Sequence, residues 1–196
     1  MNTLDAMNTL AAIKNRRAIF PAQFSATPVA DALVWQILEA ANFAPTHKKT
    51  EPWRFAVMAT AEARGAFGQH LAATYKAHTK EDKFSAAAHG KYQTVATKAS
   101  HVIAIGMHRD EQARVPEWEE LAATAMAVQN MWLAATALGV GGYWGSPEIA
   151  THREIADVLG FDANTTCYGF FYLANHEAEN VPAQRENIEN KVIWRK

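Results

Sequence analysis

Residues 117–147 read EWEELAATAMAVQNMWLAATALGVGGYWGSP. The first part, Glu117 to Leu138, predicts one long helix opened by Pro116. Its residues are apolar or small on nearly every side. A helix of that kind lies at the centre of a fold, covered by the rest of the chain or by a partner subunit. Gly139-Val140-Gly141-Gly142 ends it, because glycine caps helices and turns chains, and glycine also lets a backbone approach a ligand closely. Tyr143-Trp144 continues as a short strand, and Pro147 opens a further helix. The glycines do not form a GxGxxG dinucleotide turn: the spacing differs, and they follow a helix rather than a strand. No Walker lysine is present either.

Outward from this centre, Trp53–Met58 alternates in the manner of a strand, His101–Met107 is a short strand rich in Val and Ile, and Cys167–Ala174 is a final core strand. Helical patterning covers 61–80 and, more weakly, 82–98. Thr27 reads as an N-cap with Pro28 at the first helical position; the helix through Leu33, Ile37, Leu38 and Ala41 stops before Pro45. Leu4, Met7, Leu10, Ala11 and Lys14 fall at helical spacing and predict a first helix ending near Arg16-Arg17. The tail from Asn175 is polar and charged, but Val192-Ile193-Trp194 within it require a docking surface. No repeat or linker divides the chain, so residues 1–196 are expected to form one domain. Strands alternating with long helices point to an α+β or α/β class.

Composition narrows the function. The 196 residues are 49% hydrophobic, enough for a sizeable core. Nineteen basic against 20 acidic residues give a formal net charge of -1, without the basic stripe that marks nucleic-acid binding. No apolar run is long enough to span a bilayer; the most apolar stretch, 122–140, is broken by Thr124, Gln129, Asn130 and Thr136. Asn2, Asp5 and Asn8 interrupt the first ten residues, which lack the basic start and apolar core of a secretory signal. A cytoplasmic location is the expectation. The single cysteine, Cys167, excludes an internal disulfide framework and a Cys-based zinc knuckle. In an apolar strand with no adjacent base it reads as core rather than nucleophile.

Three segments carry candidate chemistry. Arg16-Arg17 is either a solvated helix end, where cations suit the dipole, or a phosphate clamp, because guanidinium forks match phosphate oxygens. The stretch Ala44-Pro45-Thr46-His47-Lys48-Lys49-Thr50-Glu51-Pro52-Trp53-Arg54-Phe55 is a polar, proline-bounded loop. It is either a charged surface or a set of donors aimed at an electron-rich ligand edge. The third segment is the glycine-rich turn at 139–147. No metal site is expected: His47 stands alone, and His101 and His108 lie seven apart on a strand and face opposite sides.

These segments, in this order and in a chain of this size, resemble the nitroreductase family, and its short YdjA-like members most. Asn15-Arg16-Arg17-Ala18-Ile19-Phe20 is similar to the family's opening arginine motif, and Ala44–Phe55 to its AP…HK…(Q/E)PWRF signature. Val115-Pro116-Glu117-Trp118-Glu119, the Ala-rich helix and Gly139–Ser146 match the second half. The resemblance implies an α+β nitroreductase-like fold, a central mostly antiparallel sheet flanked by helices, in an intertwined homodimer that holds FMN at the subunit interface. It implies that Arg16, Arg17 and Ala18 meet FMN from one subunit and His47 from the other. Trp144, Gly145 and Ser146 would line the flavin rim, again across the interface. Arg185 is the candidate for a C-terminal arginine on the FMN phosphate, with a solvated arginine as the alternative. Residues 134–139 correspond to a segment assigned to nicotinamide nucleotide.

The implied activity is hydride transfer from NAD(P)H, through FMN, to a small acceptor such as a nitroaromatic or quinone, with ping-pong kinetics and no catalytic side chain required. Dehalogenation, flavin destruction and flavin binding without turnover stand as alternatives on the same scaffold. Three residues depart from the family pattern. Ala18 replaces the usual serine, Phe20 stands where many relatives carry a basic residue, and Gly145 where the short relatives carry arginine. His47, Lys48 and Lys49 are candidates to compensate.

Overall fold

The computed structural model describes residues 9–179, 181 and 183–196. Among them lies one four-stranded sheet in the order β1-β2-β4-β3, every neighbouring pair antiparallel. The strands are β1 (Trp53–Met58), β2 (His101–His108), β3 (Gly141–Gly145) and β4 (Thr165–Ala174). The helices are α1 (Thr9–Asn15), α2 (Asp31–Asn42), α3 (Ala61–His78), α4 (Ala86–Val95), α5 (Glu117–Ala137) and α6 (Arg153–Val158). This is the expected α+β class. No helix among the described residues is long and apolar enough to cross a membrane.

The sheet is covered on both faces. On one, α2 and α5 bring Val34, Ile37, Ala127 and Met131 against Ile103, Ile105, Phe171 and Leu173. On the other, Phe67, Leu71 and Val95 from α3 and α4 pack on Val102, Ala104, Phe170 and Tyr172. Burial on two faces explains why β2 and β4 read as nearly continuous apolar runs instead of alternating. The pleat still sorts side chains by parity until residue 167. Cys167 and Phe170 face the same layer although they are three apart. The register supplies the reason: Ala104 pairs with Phe170 and Gly106 with Cys167, so Tyr168 and Gly169 together oppose one residue of β2. This is a β-bulge, and Gly169 occupies it at φ +124°.

α5 turns a mainly small-residue face inward, with Ala123, Thr124, Ala127, Val128, Met131 and Ala135 buried. At its first turn Glu120 is also buried. Its carboxylate pairs with the Arg109 guanidinium and accepts the Asp110 N–H at 3.0 Å, while Arg109 Nη2 donates to the Val115 carbonyl at 2.7 Å. This network ties the 109–116 loop to the helix. Glu120→Gln keeps the shape but removes the charge from that network, and is expected to cost about 1–3 kcal/mol in urea unfolding. An unchanged denaturation midpoint would show that the network contributes nothing.

Some local expectations change. Thr27 and Pro28 do not start α2; Ala30 is its N-cap, extended at φ -68° and ψ 137°. Long-range bonds hold the preceding segment out of the helix: Asn175 Nδ2 donates to the Thr27 and Pro28 carbonyls, and Val29 N donates to Ser100 Oγ at 2.7 Å. Pro147 precedes only a short 3-10 turn, Glu148–Thr151, before α6 begins at Arg153. The helical patterning at 82–98 resolves into α4 between two 3-10 turns. Of the first-helix pattern, Leu4 and Met7 lie outside the described residues, and α1 ends at Asn15, next to the arginine pair. Val192, Ile193 and Trp194 are exposed rather than docked within the chain.

Candidate functional site

The arginine pair sits where the chain leaves α1. Arg16 N still donates to the Ala12 carbonyl, and by Ile19 the backbone has reached β3, where Ile19 N donates to the Gly142 carbonyl at 3.1 Å. Trp132 of α5 fixes both arginines. The Arg16 guanidinium lies 4.3 Å over the centre of its ring, and its indole N–H donates to the Arg17 carbonyl at 3.1 Å. Arg17 spends its own donors on the carbonyls of Val181, Lys14 and Arg16. Arg185, from the C-terminal tail, lines the same hollow of about 580 Å³ as Arg16 and Arg17.

Three arginines therefore line one hollow. Among the described residues none of them pairs with a carboxylate; their hydrogen bonds go to backbone carbonyls. The Arg16 pKa is lowered, by burial first and then by the charges of Arg17 and Arg185. Concentrated like charge of this kind is relieved by an anion, and guanidinium groups match a phosphate dianion in charge and shape. Ala18, half-buried alongside, offers no hydroxyl to such a ligand.

Trp144 and Gly145 lie further along β3 and Ser146 directly follows it, up to about 13 Å from Gly142 at strand rise. Phe20 and Tyr143 rings meet at 5.2 Å, and Tyr143 stacks on Tyr172 at 5.1 Å. Trp144 Nε1 donates to the Tyr168 carbonyl at 3.1 Å, so the bulge in β4 positions this segment. A Cβ on Gly145 would lie 3.2 Å from the Tyr143 ring, so a larger residue there requires Tyr143 to shift.

His47 occupies a different place. Its loop is held in an uncommon shape, with Lys48, Lys49 and Glu51 all at positive φ. Thr46 and Thr50 hydroxyls lie 3.2 Å apart, Glu51 N donates to Thr46 Oγ1, and Lys48 Nζ donates to the Arg114 carbonyl. His47 Nδ1 donates to Glu119 Oε2 at 2.6 Å, at the first turn of α5. Trp132, which holds the arginines, is thirteen residues further along the same helix, or about 20 Å at 1.5 Å per residue. One copy of the chain does not bring His47 and the arginines together.

A model of the nitroreductase family matches residues 13–173. The chain belongs to the nitroreductase family. It is 30% identical over 151 residues to YdjA of Escherichia coli strain K12, covering 74% of this chain and 80% of that one. With YfhC of Bacillus subtilis strain 168 it shares 28% over 154 residues, 78% and 76% of the two chains. Both relatives carry the name NAD(P)H nitroreductase. A Desulfovibrio desulfuricans protein solved in complex with FMN superposes with a TM-score of 0.72 at 28% identity, covering 96% of this chain and 97% of that one. As a nitroreductase of the short YdjA-like type, the chain has the nitroreductase-like fold expected from its motifs.

Several residues around these segments carry no signal of their own in the sequence. Trp132 reads as one more apolar residue of a buried helix, and Glu119 as one acidic residue of an ordinary first turn. Gly169 looks like a lone glycine in a strand, which hints at a bulge but not at its consequences. Cys167 is buried in β4, with its thiol on the Gly169 carbonyl at 3.6 Å. Burial pushes its thiol up to about 11. Alkylation of the native protein by iodoacetamide near neutral pH is expected to run more than about a hundredfold slower than that of free cysteine, recovering on denaturation. Rapid labelling of the folded protein would overturn the assignment to core.

Proposed function

We propose that this nitroreductase is an FMN-dependent oxidoreductase that moves a hydride from NAD(P)H to a small oxidised acceptor, a nitroaromatic or a quinone, and works as a homodimer. The observation that carries the reading is the hollow where Arg16, Arg17 and Arg185 converge without a carboxylate among the described residues. Those three residues would hold the phosphate. Bound flavin supplies reversible hydride-accepting chemistry. The remaining work belongs to the chain. Trp144, Gly145 and Ser146 line the ring system and set what approaches it, and His47 brings a hydrogen-bonding ring to its electron-rich edge.

The separation of His47 from the arginines along α5 supports the dimer: both groups reach one ligand if the second copy supplies one of them. Net, a quinone, NAD(P)H and a proton give hydroquinone and NAD(P)+, and solvent supplies the proton. Donor and acceptor share one face, so parallel lines are expected in double-reciprocal plots. The test combines the visible spectrum of the purified protein, its mass by sedimentation, and anaerobic NADH or NADPH oxidation on adding menadione or a nitroaromatic. A colourless protein that gains no bound flavin from added FMN sinks the reading. A flavin-loaded protein that oxidises neither nucleotide leaves only a binding role.

A further inference from the structure

Away from the arginine hollow, at the end of α3, three ligand-type side chains converge. His78 lies in the last turn of α3, His152 is the N-cap of α6 and Glu154 is in its first turn. His78 Nε2 donates to Glu154 Oε1 at 3.0 Å, and the two imidazole rings lie with centroids 4.0 Å apart. One nitrogen from each ring and one Glu154 oxygen all fall within 4.8 Å of one another. We infer that His78, His152 and Glu154 form a binding site for a divalent transition-metal ion of the zinc class, bridging α3 to α6.

A His–Glu ion pair requires one imidazole. The second ring in contact adds nothing to that pair, since two protonated rings would repel, but it completes a three-donor set. Two imidazoles and a carboxylate suit zinc and neighbouring transition ions rather than magnesium or calcium, and leave a fourth position to water. Zinc bonds of about 2.0–2.2 Å place tetrahedral donors about 3.4 Å apart. The His78–Glu154 contact is already that close, and small side-chain rotations bring in the third donor.

The backbone beneath is firm. His152 N donates to the Ile149 carbonyl, and the His152 carbonyl accepts from Ile155 N and Ala156 N. Lys80, Lys83 and Glu148 line the adjoining hollow. The two ammonium groups sit on flexible stems and can swing away, whereas Glu148 adds negative charge. Arg153 is engaged elsewhere, pairing with Asp157 and donating to the Phe161 and Asp162 carbonyls. The side chains of His78 and Glu154 are open to solvent, so an ion has a path in. Binding would join two elements far apart in sequence and stabilise the folded state by mass action. The inference does not depend on the flavin chemistry.

The test is calorimetric titration of the untagged protein with zinc chloride, beside thermal unfolding at increasing zinc. One zinc per chain is expected, and the unfolding midpoint should rise with zinc. His78→Asn, His152→Asn and Glu154→Gln should each weaken binding by about tenfold or more, the range that even outer-sphere changes reach. Asn preserves an N-cap at 152. His70→Asn, elsewhere on α3, should leave affinity unchanged. Absence of saturable binding, binding untouched by the three substitutions, or equal weakening by His70→Asn would each overturn the inference.

Discussion

Replacing Arg16 and Arg17 together by alanine is expected to weaken FMN binding by about three orders of magnitude, because charge-assisted hydrogen bonds contribute about 1.5–3 kcal/mol each and 1.4 kcal/mol is tenfold. Quenching of flavin fluorescence on titration into apoprotein measures it. Arg16 is held against Arg17 and Arg185 with its guanidinium pKa depressed by burial and by their charge. The double variant also loses the Arg16 stack on Trp132 and the Arg17 bonds to three backbone carbonyls, so the unfolding midpoint of the apoprotein is measured beside the affinity and FMN is titrated well below it. Arg17→Lys keeps the charge but loses the fork and should fall between the two. Arg153→Ala, on an arginine paired with Asp157 on α6, is the control and should bind FMN as the parent does. Flavin affinity within a few-fold of the parent in the double variant would remove the arginine hollow as the phosphate site.

What the sequence makes legible divides along a physical line. Trp53–Met58 is readable from its local alternation and Glu117–Ala137 from its long run of apolar and small residues after Pro116, so each element carries its own signal. The start of α2 is misread for the complementary reason. Thr27-Pro28 has good local helix-start chemistry, and distant partners, Ser100 and Asn175, hold it extended. The candidate site shows the same division. Arg16-Arg17 and His47 stand out as polar residues in motif-like surroundings. That Trp132 grips both arginines, or that Glu119 takes the His47 ring, depends on which face of α5 meets which loop. Arg185 stands in a tail without regular patterning, so nothing local in the sequence places it, and it lines the arginine hollow. No periodicity marks such meetings, because they are long-range contacts of single side chains.

Gly169 is the position where fold and site are most tightly joined, and Gly169→Val is expected to damage both. At φ +124° a β-branched residue is strained. A Cβ there would also run into the Gly145 carbonyl, and would lie 2.7 Å from Trp144 Nε1 and 3.0 Å from the Ser146 Cα. Two of those three neighbours are backbone and cannot rotate aside. Strain and overpacking together are expected to cost about 4 kcal/mol. The chain has one cheap way to relax, which is to push residues 144–146 off β4 and break the Trp144 bond to the Tyr168 carbonyl. That is the segment proposed to line the flavin. The expected result is therefore a lower unfolding midpoint together with weaker FMN binding and a shifted flavin absorbance in whatever remains folded. Gly90→Ala provides the contrast. Gly90 lies within α4 with open space where its Cβ would go, and alanine there should stabilise by up to about 1 kcal/mol without touching the flavin. A Gly169→Val protein as stable as the parent, with an unaltered flavin spectrum, would show that the bulge does not position the Trp144–Ser146 segment. Loss of stability with an unaltered spectrum would confine Gly169 to the fold.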